Sequence, residues 1–173
     1  MPVVTLRDVT AETWEAVVAL EVHPEQRSWV APNHISLLQA HYGLGGDLAF
    51  LKLVPLAIHV DDEPVGLAMY NTGPAQDRYM IMRLMIDTRH QGRGYGRAAL
   101  SQLLARFRAV PQASEVAISI ERGNAVAGRL YFSAGFIEVP SDESGEQMFW
   151  QGLNRQPEPW ESFWNPAASR LAS

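Results

Sequence analysis

Residues 89–100, RHQGRGYGRAAL, carry three glycines in five positions, Gly92, Gly94 and Gly96, with Arg93 and Arg97 among them. A helical apolar pattern follows at once: Leu100, Leu103, Leu104 and Phe107 recur at i, i+3, i+4 and i+7, and Pro111 ends it. Before the glycines lies YMIMRLMI, residues 79–86, apolar apart from Arg83 and so suited to a strand buried on both faces. Strand, glycine loop and helix start in succession leave three readings. One is an anion cradle, because a helix N-terminus offers unpaired N–H groups and the positive end of a dipole, and missing side chains let a phosphate approach. Another is a dinucleotide turn, because GYGRAA (94–99) satisfies G-x-G-x-x-G/A and the acids Glu115 and Glu121 lie roughly 20–30 residues on. The third is a turn that only packs helix on strand. Against the dinucleotide turn, the strand ends at Ile86 and a polar run intervenes before Gly92, and several elements precede the motif. A nucleoside-triphosphate loop is excluded, since no G-K-[ST] follows.

Outward from this segment the chain alternates strands and helices. VVTLRDV (3–9) reads as a strand. Thr10 can cap a helix through AETWEAVVAL (11–20), with Trp14, Val17 and Val18 on one face and Trp14 in the core. HPEQRSWVAPN is a loop, and Asn33 after Pro32 can cap HISLLQAHY, which GLGGD ends. VPLAIHV and VGLAMY flank the turn DDEP as a hairpin. EVAISI (115–120) is a strand, Asn124 caps a short helix ending near Ala134 with Gly135 as its stop, and FIEV and QMFW close the sheet. The order implies an α/β or α+β sheet covered by helices. No internal repeat or linker is present. Residues 151–173, rich in Pro and bearing Trp160, Phe163 and Trp164, read as a tail laid on residues 1–150 or on a partner such as a second copy in a homodimer.

Composition narrows the function. The chain has 173 residues, 47% of them hydrophobic, which suits one globular domain. A net charge of -5 argues against binding to nucleic acid. There is no cysteine, so disulfides, thiolate metal sites and cysteine nucleophiles are excluded. The histidines, His23, His34, His41, His59 and His90, show no metal-ligand spacing, and no metal is expected. The N-terminus lacks signal-peptide regions, and the most apolar stretch is broken by Lys52 and Pro55, so neither export nor a membrane span is expected and a cytoplasmic location is.

LMIDTRHQGRGYGRAAL resembles the acyl-CoA-binding segment of the GNAT superfamily of N-acetyltransferases: a strand, Gln or Arg, two residues, Gly, one residue, and Gly or Ala opening a helix. Gln91, Gly94 and Gly96 match in place. NAVAGRLYFSAGF (124–136) is similar to that family's second signature, a short helix with Tyr before a Gly-Phe. EQRSWVAPN, VGLAMY and LYFSAGF also resemble the family's bacterial spermine/spermidine acetyltransferases.

The resemblance implies a mixed, mostly antiparallel sheet with splayed fourth and fifth strands and about four helices. It implies acetyl transfer from acetyl-CoA to an amine such as a polyamine by direct attack in a ternary complex. The pyrophosphate would rest on Gln91, Gly92, Arg93, Gly94, Tyr95, Gly96 and Arg97. The backbones of Leu84, Met85 and Ile86 would pair with the pantetheine arm, and Met85 and Ile86 would also polarise the thioester carbonyl. Asn124 would hold that arm, and Tyr131 would bind the cofactor and protonate the departing sulfur. For the base, Glu21, Glu25, Asp87 and Glu121 are candidates. Glu21 and Glu25 are preferred for the acceptor, with Trp14 and Trp29 available for cation–π contacts. A protein amine or another small amine as acceptor, and a non-catalytic acyl-CoA sensor, are the alternatives. Tyr131 weighs against the sensor, because a pure binder needs no acid beside the sulfur. Arg83 is left either facing the cleft or paired with a buried acid.

Overall fold

The computed structural model describes residues 3–72, 76–140 and 146–154. Its elements are β1 (Val4–Asp8), α1 (Trp14–Val18), α2 (Asn33–Tyr42), β2 (Lys52–Val60), β3 (Glu63–Thr72), β4 (Arg78–Ile86), α3 (Tyr95–Arg108), β5 (Glu115–Ile120), α4 (Ala125–Ser133), β6 (Ile137–Val139) and β7 (Gln147–Gly152). Short 3-10 turns cover Pro24–Gln26, Gly46–Leu48 and Thr88–His90. Residues 155–173, with Trp160, Phe163 and Trp164, lie outside the described residues.

One seven-stranded sheet runs in the order β1-β2-β3-β4-β5-β7-β6. All neighbours are antiparallel except β4 and β5. That parallel pair is the consequence of the α3 crossover, since parallel neighbours need a long connection. The expected stripe Leu100, Leu103, Leu104 and Phe107 is buried on one face of the sheet with Ile81, Val116, Tyr131 and Phe136. Phe107 stacks on Tyr79 with ring centroids 4.3 Å apart. Each such side chain removed from water stabilises the fold by about 1.5–3 kcal/mol. The opposite face is covered by α1 and α2, where Val17 and Leu20 pack on Ala57, Leu67 and Met85.

Two expectations fail at α1. Thr10 does not cap the helix; its carbonyl accepts from Thr13 and Trp14 N–H in a preceding turn, and the helix starts only at Trp14. With so short a helix only Val17 reaches the sheet, and Trp14 is 46% exposed rather than core. Asn33 is likewise no cap. It is the first residue inside α2, and its buried Nδ2 donates to the Val17 and Leu20 carbonyls at 2.8 and 3.3 Å, tying α2 to the end of α1. Asn124 does cap α4, accepting from Ala127 N–H at 3.2 Å, and Gly135 after the helix has φ +91°.

Candidate functional site

The sheet opens in its middle. β4 and β5 pair only from Arg78 with Glu115 to Ile81 with Ile118; β4 then runs on to Ile86 and β5 to Ile120 without each other. The parting coincides with a bulge in β4: Met69 of β3 faces Arg83 and the next residue, Tyr70, faces Ile81, so Met82 is extra. A bulge bends its strand and increases its twist, which turns the upper half of β4 away from β5.

The freed edge carries unspent backbone groups. Asp87 N–H donates to Val65 C=O, which fixes the phase of the β3–β4 ladder. With the alternation of an antiparallel pair, Met85 spends its N–H and C=O on Leu67, while Leu84 and Ile86 aim theirs at the gap. Of the three residues expected at the arm, Met85 therefore has its backbone turned to β3. The Ile86 carbonyl is taken, accepting from Gln91 Nε2 at 2.9 Å.

A cleft of about 790 Å³ fills the opening. Residues 82–86 and 118–121 form its strand walls, and α4 contributes Asn124 and Tyr131. The glycine loop and the segment around Trp29 also line it.

At the loop end, α3 begins without a cap. Gly94 occupies the N-cap position in the left-handed region (φ +82°), offers no side-chain acceptor, and no acid stands in the first turn. The first intrahelical N–H is that of Ala98, donating to Gly94 C=O at 3.1 Å. The amides of Tyr95, Gly96 and Arg97 are thus left for an outside acceptor beside the cleft. Gly92 (φ +74°) adopts the same region, which a side chain would strain.

Two side chains brace this loop. Gln91 Nε2 donates to Gln26 Oε1 at 2.8 Å, and Gln26 Nε2 returns a bond to Gln91 Oε1 at 3.2 Å, locking the loop to the segment before α2. Asp87 is 2% exposed and accepts from Glu21 N–H (3.0 Å), Arg89 N–H (3.0 Å) and Arg89 Nε (2.8 Å). Burial by itself would raise its pKa, but these hydrogen bonds and the Arg89 charge together hold it below the ordinary value. Asp87→Asn should cost about 2 kcal/mol of stability, the scale of hydrogen bonds to a charged group. A depressed folded pKa means the stabilisation is complete above the unfolded value of about 3.9 and fades as pH falls through the folded one. The difference in Tm between wild type and variant, measured from pH 7 downward, should therefore close below about pH 4.

Tyr131 lines the cleft, yet is only 3% exposed, and its hydroxyl has no hydrogen-bond partner among the described residues. Burial pushes its pKa well above the ordinary tyrosine value, so the phenol stays protonated.

The cleft brings together Leu84, Met85, Ile86, Gln91, Gly92, Gly94, Tyr95, Gly96, Arg97, Asn124 and Tyr131, with Glu121 and Trp29. It leaves out the exposed Arg93, and also Glu21, Glu25, Asp87 and Trp14. Glu21 is engaged with Arg27 at 2.8 Å, and Glu25 is exposed. Arg83 lines the cleft and has no ion pair within 4.0 Å among the described residues. Gln26, within the EQRSWVAPN stretch but not singled out there, and Glu146, which no motif or periodicity marks, also line it. Among the described residues, no three His, Asp or Glu side chains gather as a metal site, and no helix is long and apolar enough to cross a membrane.

The site is thus a sheet split between two parallel strands, with an uncapped, glycine-led helix beside the opening, a shape and polarity suited to an extended, anion-bearing ligand. The family model described as "Acetyltransferase (GNAT) family" matches residues 14–136, and the chain belongs to that family. It is an acetyl-CoA-dependent N-acetyltransferase. The chain is 28% identical over 152 residues to a spermine/spermidine N(1)-acetyltransferase of Bacillus subtilis, covering 84% of this chain and 95% of the relative. Its fold is similar to that of a spermidine N-acetyltransferase from Vibrio cholerae solved with CoA and spermine, at TM-score 0.65 and 13% identity over 86% of this chain and 95% of that one. It is also similar to an acetyltransferase from Thermus thermophilus, at TM-score 0.63 and 19% identity over 88% and 100%.

Proposed function

We propose that the chain acetylates a small primary amine of polyamine type by direct attack on acetyl-CoA in a ternary complex. The observation that carries the site assignment is the start of α3, whose free amides face the cleft with no acid or side-chain cap to satisfy them. A pyrophosphate answers both needs, accepting from the amides of Tyr95, Gly96 and Arg97 and neutralising the dipole. Arg97 adds a charge-assisted contact, which an exposed Arg93 could join. Leu84 and Ile86 offer the pantetheine arm the partner that β5 withdraws, as an added strand would be held. Asn124, although spent as a cap at Oδ1, retains its amide nitrogen for the arm. An N–H on this edge would also polarise the thioester carbonyl. Tyr131, buried and protonated, supplies the proton that the leaving sulfur needs.

The polyamine assignment is supported by the Bacillus relative's name and by Glu121 in the cleft wall, a carboxylate that can receive an ammonium group. Trp29, which also lines the cleft, offers a cation–π surface. Thiol release from acetyl-CoA, measured over spermidine, spermine, monoamines and lysine peptides, tests this. Turnover on spermidine and spermine and none on peptides is the expected outcome; turnover on peptides alone would move the acceptor to a protein amine. Binding of acetyl-CoA without turnover on any amine would make the chain a sensor.

A further inference from the structure

The unexplained group in the cleft is Arg83. Its side chain points to the α1–α2 face of the sheet, the face that Met85, two residues on, shares with Val17 and Leu20. Leu84 and Ile86 pack against the opposite cluster with α3 and Tyr131. The cleft therefore passes through the sheet, with the uncapped helix and Tyr131 on one side and Arg83 on the other. Arg83 stands beside the bulge at Met82, where β4 leaves β5.

Its charge is poorly compensated. Nη1 donates to the Met82 carbonyl at 2.6 Å, Nη2 has a long 3.5 Å contact with Gln39 Oε1 on α2, and Nε is buried with no hydrogen-bond partner. Facing it from β3 are the uncharged Met69 and, one residue on, Tyr70. Glu146, before β7, lines the same cleft and attracts it electrostatically. The other charged groups lining the cleft are Glu121 after β5, Arg27, His90, Arg97 and Arg129. A half-buried guanidinium whose Nε has no partner among the described residues is costly to hold in the fold.

We propose that Arg83 activates the acceptor electrostatically, by disfavouring the ammonium form of an amine bound beside it. This rests on the reading of the chain as an acetyltransferase for small amines. A like charge held nearby lowers the pKa of an ammonium, and each unit raises the neutral fraction tenfold at a fixed lower pH. The ammonium proton leaves to solvent. The amine lone pair then forms the C–N bond, the C–S bond breaks, and the second nitrogen proton balances the one Tyr131 gives to sulfur. No carboxylate base is required; of the four candidates Glu21, Glu25 and Asp87 lie outside the cleft and only Glu121 lines it. Glu121, in the cleft wall, is the carboxylate that would hold a far ammonium group of a polyamine.

The pH dependence of kcat at saturating spermidine separates this from a structural role, because kcat reports groups in the bound complex and kcat/KM those of free enzyme and free amine. In Arg83→Gln the acid limb of kcat should move up by about one unit, lowering kcat about tenfold at pH 7 and restoring it at high pH, while the limb of kcat/KM stays in place. Arg83→Lys should keep the wild-type limb within a few tenths of a unit. A uniform fall of kcat at every pH, or a limb unmoved in Arg83→Gln, overturns the proposal. No turnover by wild type on any amine overturns instead the reading on which it rests.

Discussion

Tyr131→Phe should lower kcat by about 10²–10³-fold and leave the KM for acetyl-CoA within about twofold, the pattern of an interaction made only in the transition state. The substitution removes one oxygen and keeps the ring, which packs 5.8 Å from both Phe136 and Phe149 between centroids. Little is lost in packing, and no described hydrogen bond is broken, so the fold is preserved and the loss is chemical. The proton matters because a thiolate leaves the tetrahedral intermediate more slowly than a thiol. A tyrosine exposed to water would begin to ionise near pH 10. Burial moves that ionisation higher, so Tyr131 remains an acid across the working range and adds no alkaline limb below about pH 10. Steady-state kinetics over acetyl-CoA and amine concentrations test this; an unchanged kcat removes Tyr131 from the acid role.

The second large effect lies away from the cleft. Gly66 of β3 pairs with Ile86, and a Cβ there would lie 2.3 Å from the Met85 carbonyl oxygen and 3.0–3.1 Å from the tips of Ile86 and Ile58. The side chains can turn aside, but the carbonyl belongs to the ladder that holds β4. Gly66→Ala should therefore cost about 3 kcal/mol, a Tm lower by roughly 6–12 °C for a domain of this size. The same displacement disturbs the strand whose other edge faces the cleft, so the KM for acetyl-CoA should rise as well. Thermal unfolding with ligand titration checks both, and a variant with wild-type Tm would mean that β4 yields without cost. Gly96 offers the contrast: a Cβ there meets only ordinary contacts of 3.7 and 3.9 Å.

Much of the arrangement was legible because its causes are local. The apolar run of β4, the stripe of α3, the Asn124 cap and the Gly135 stop each act within a few residues, and each appears where the sequence put it. The α1 region was misread for the same reason. Thr10, Trp14 and Asn33 have good local capping or amphipathic contexts, but α1 is too short to bury Trp14, and the open carbonyls of Val17 and Leu20 claim the Asn33 amide. The acids Glu21 and Glu25 looked suitable on a loop over the substrate, yet which way that loop faces is set by the Gln26–Gln91 pair, a contact across 65 positions.

By itself, then, the sequence determined the element order, the glycine-led helix start and the tyrosine before the Gly-Phe, and through them the family. Only the tertiary structure decided where the sheet parts, because that depends on a one-residue bulge at Met82 that leaves no mark in the apolar pattern of β4. The same is true of Arg83. In sequence it is one charge in an apolar strand; its place in the cleft follows from strand register and from the helices packed on each face, which are properties of pairing and not of composition.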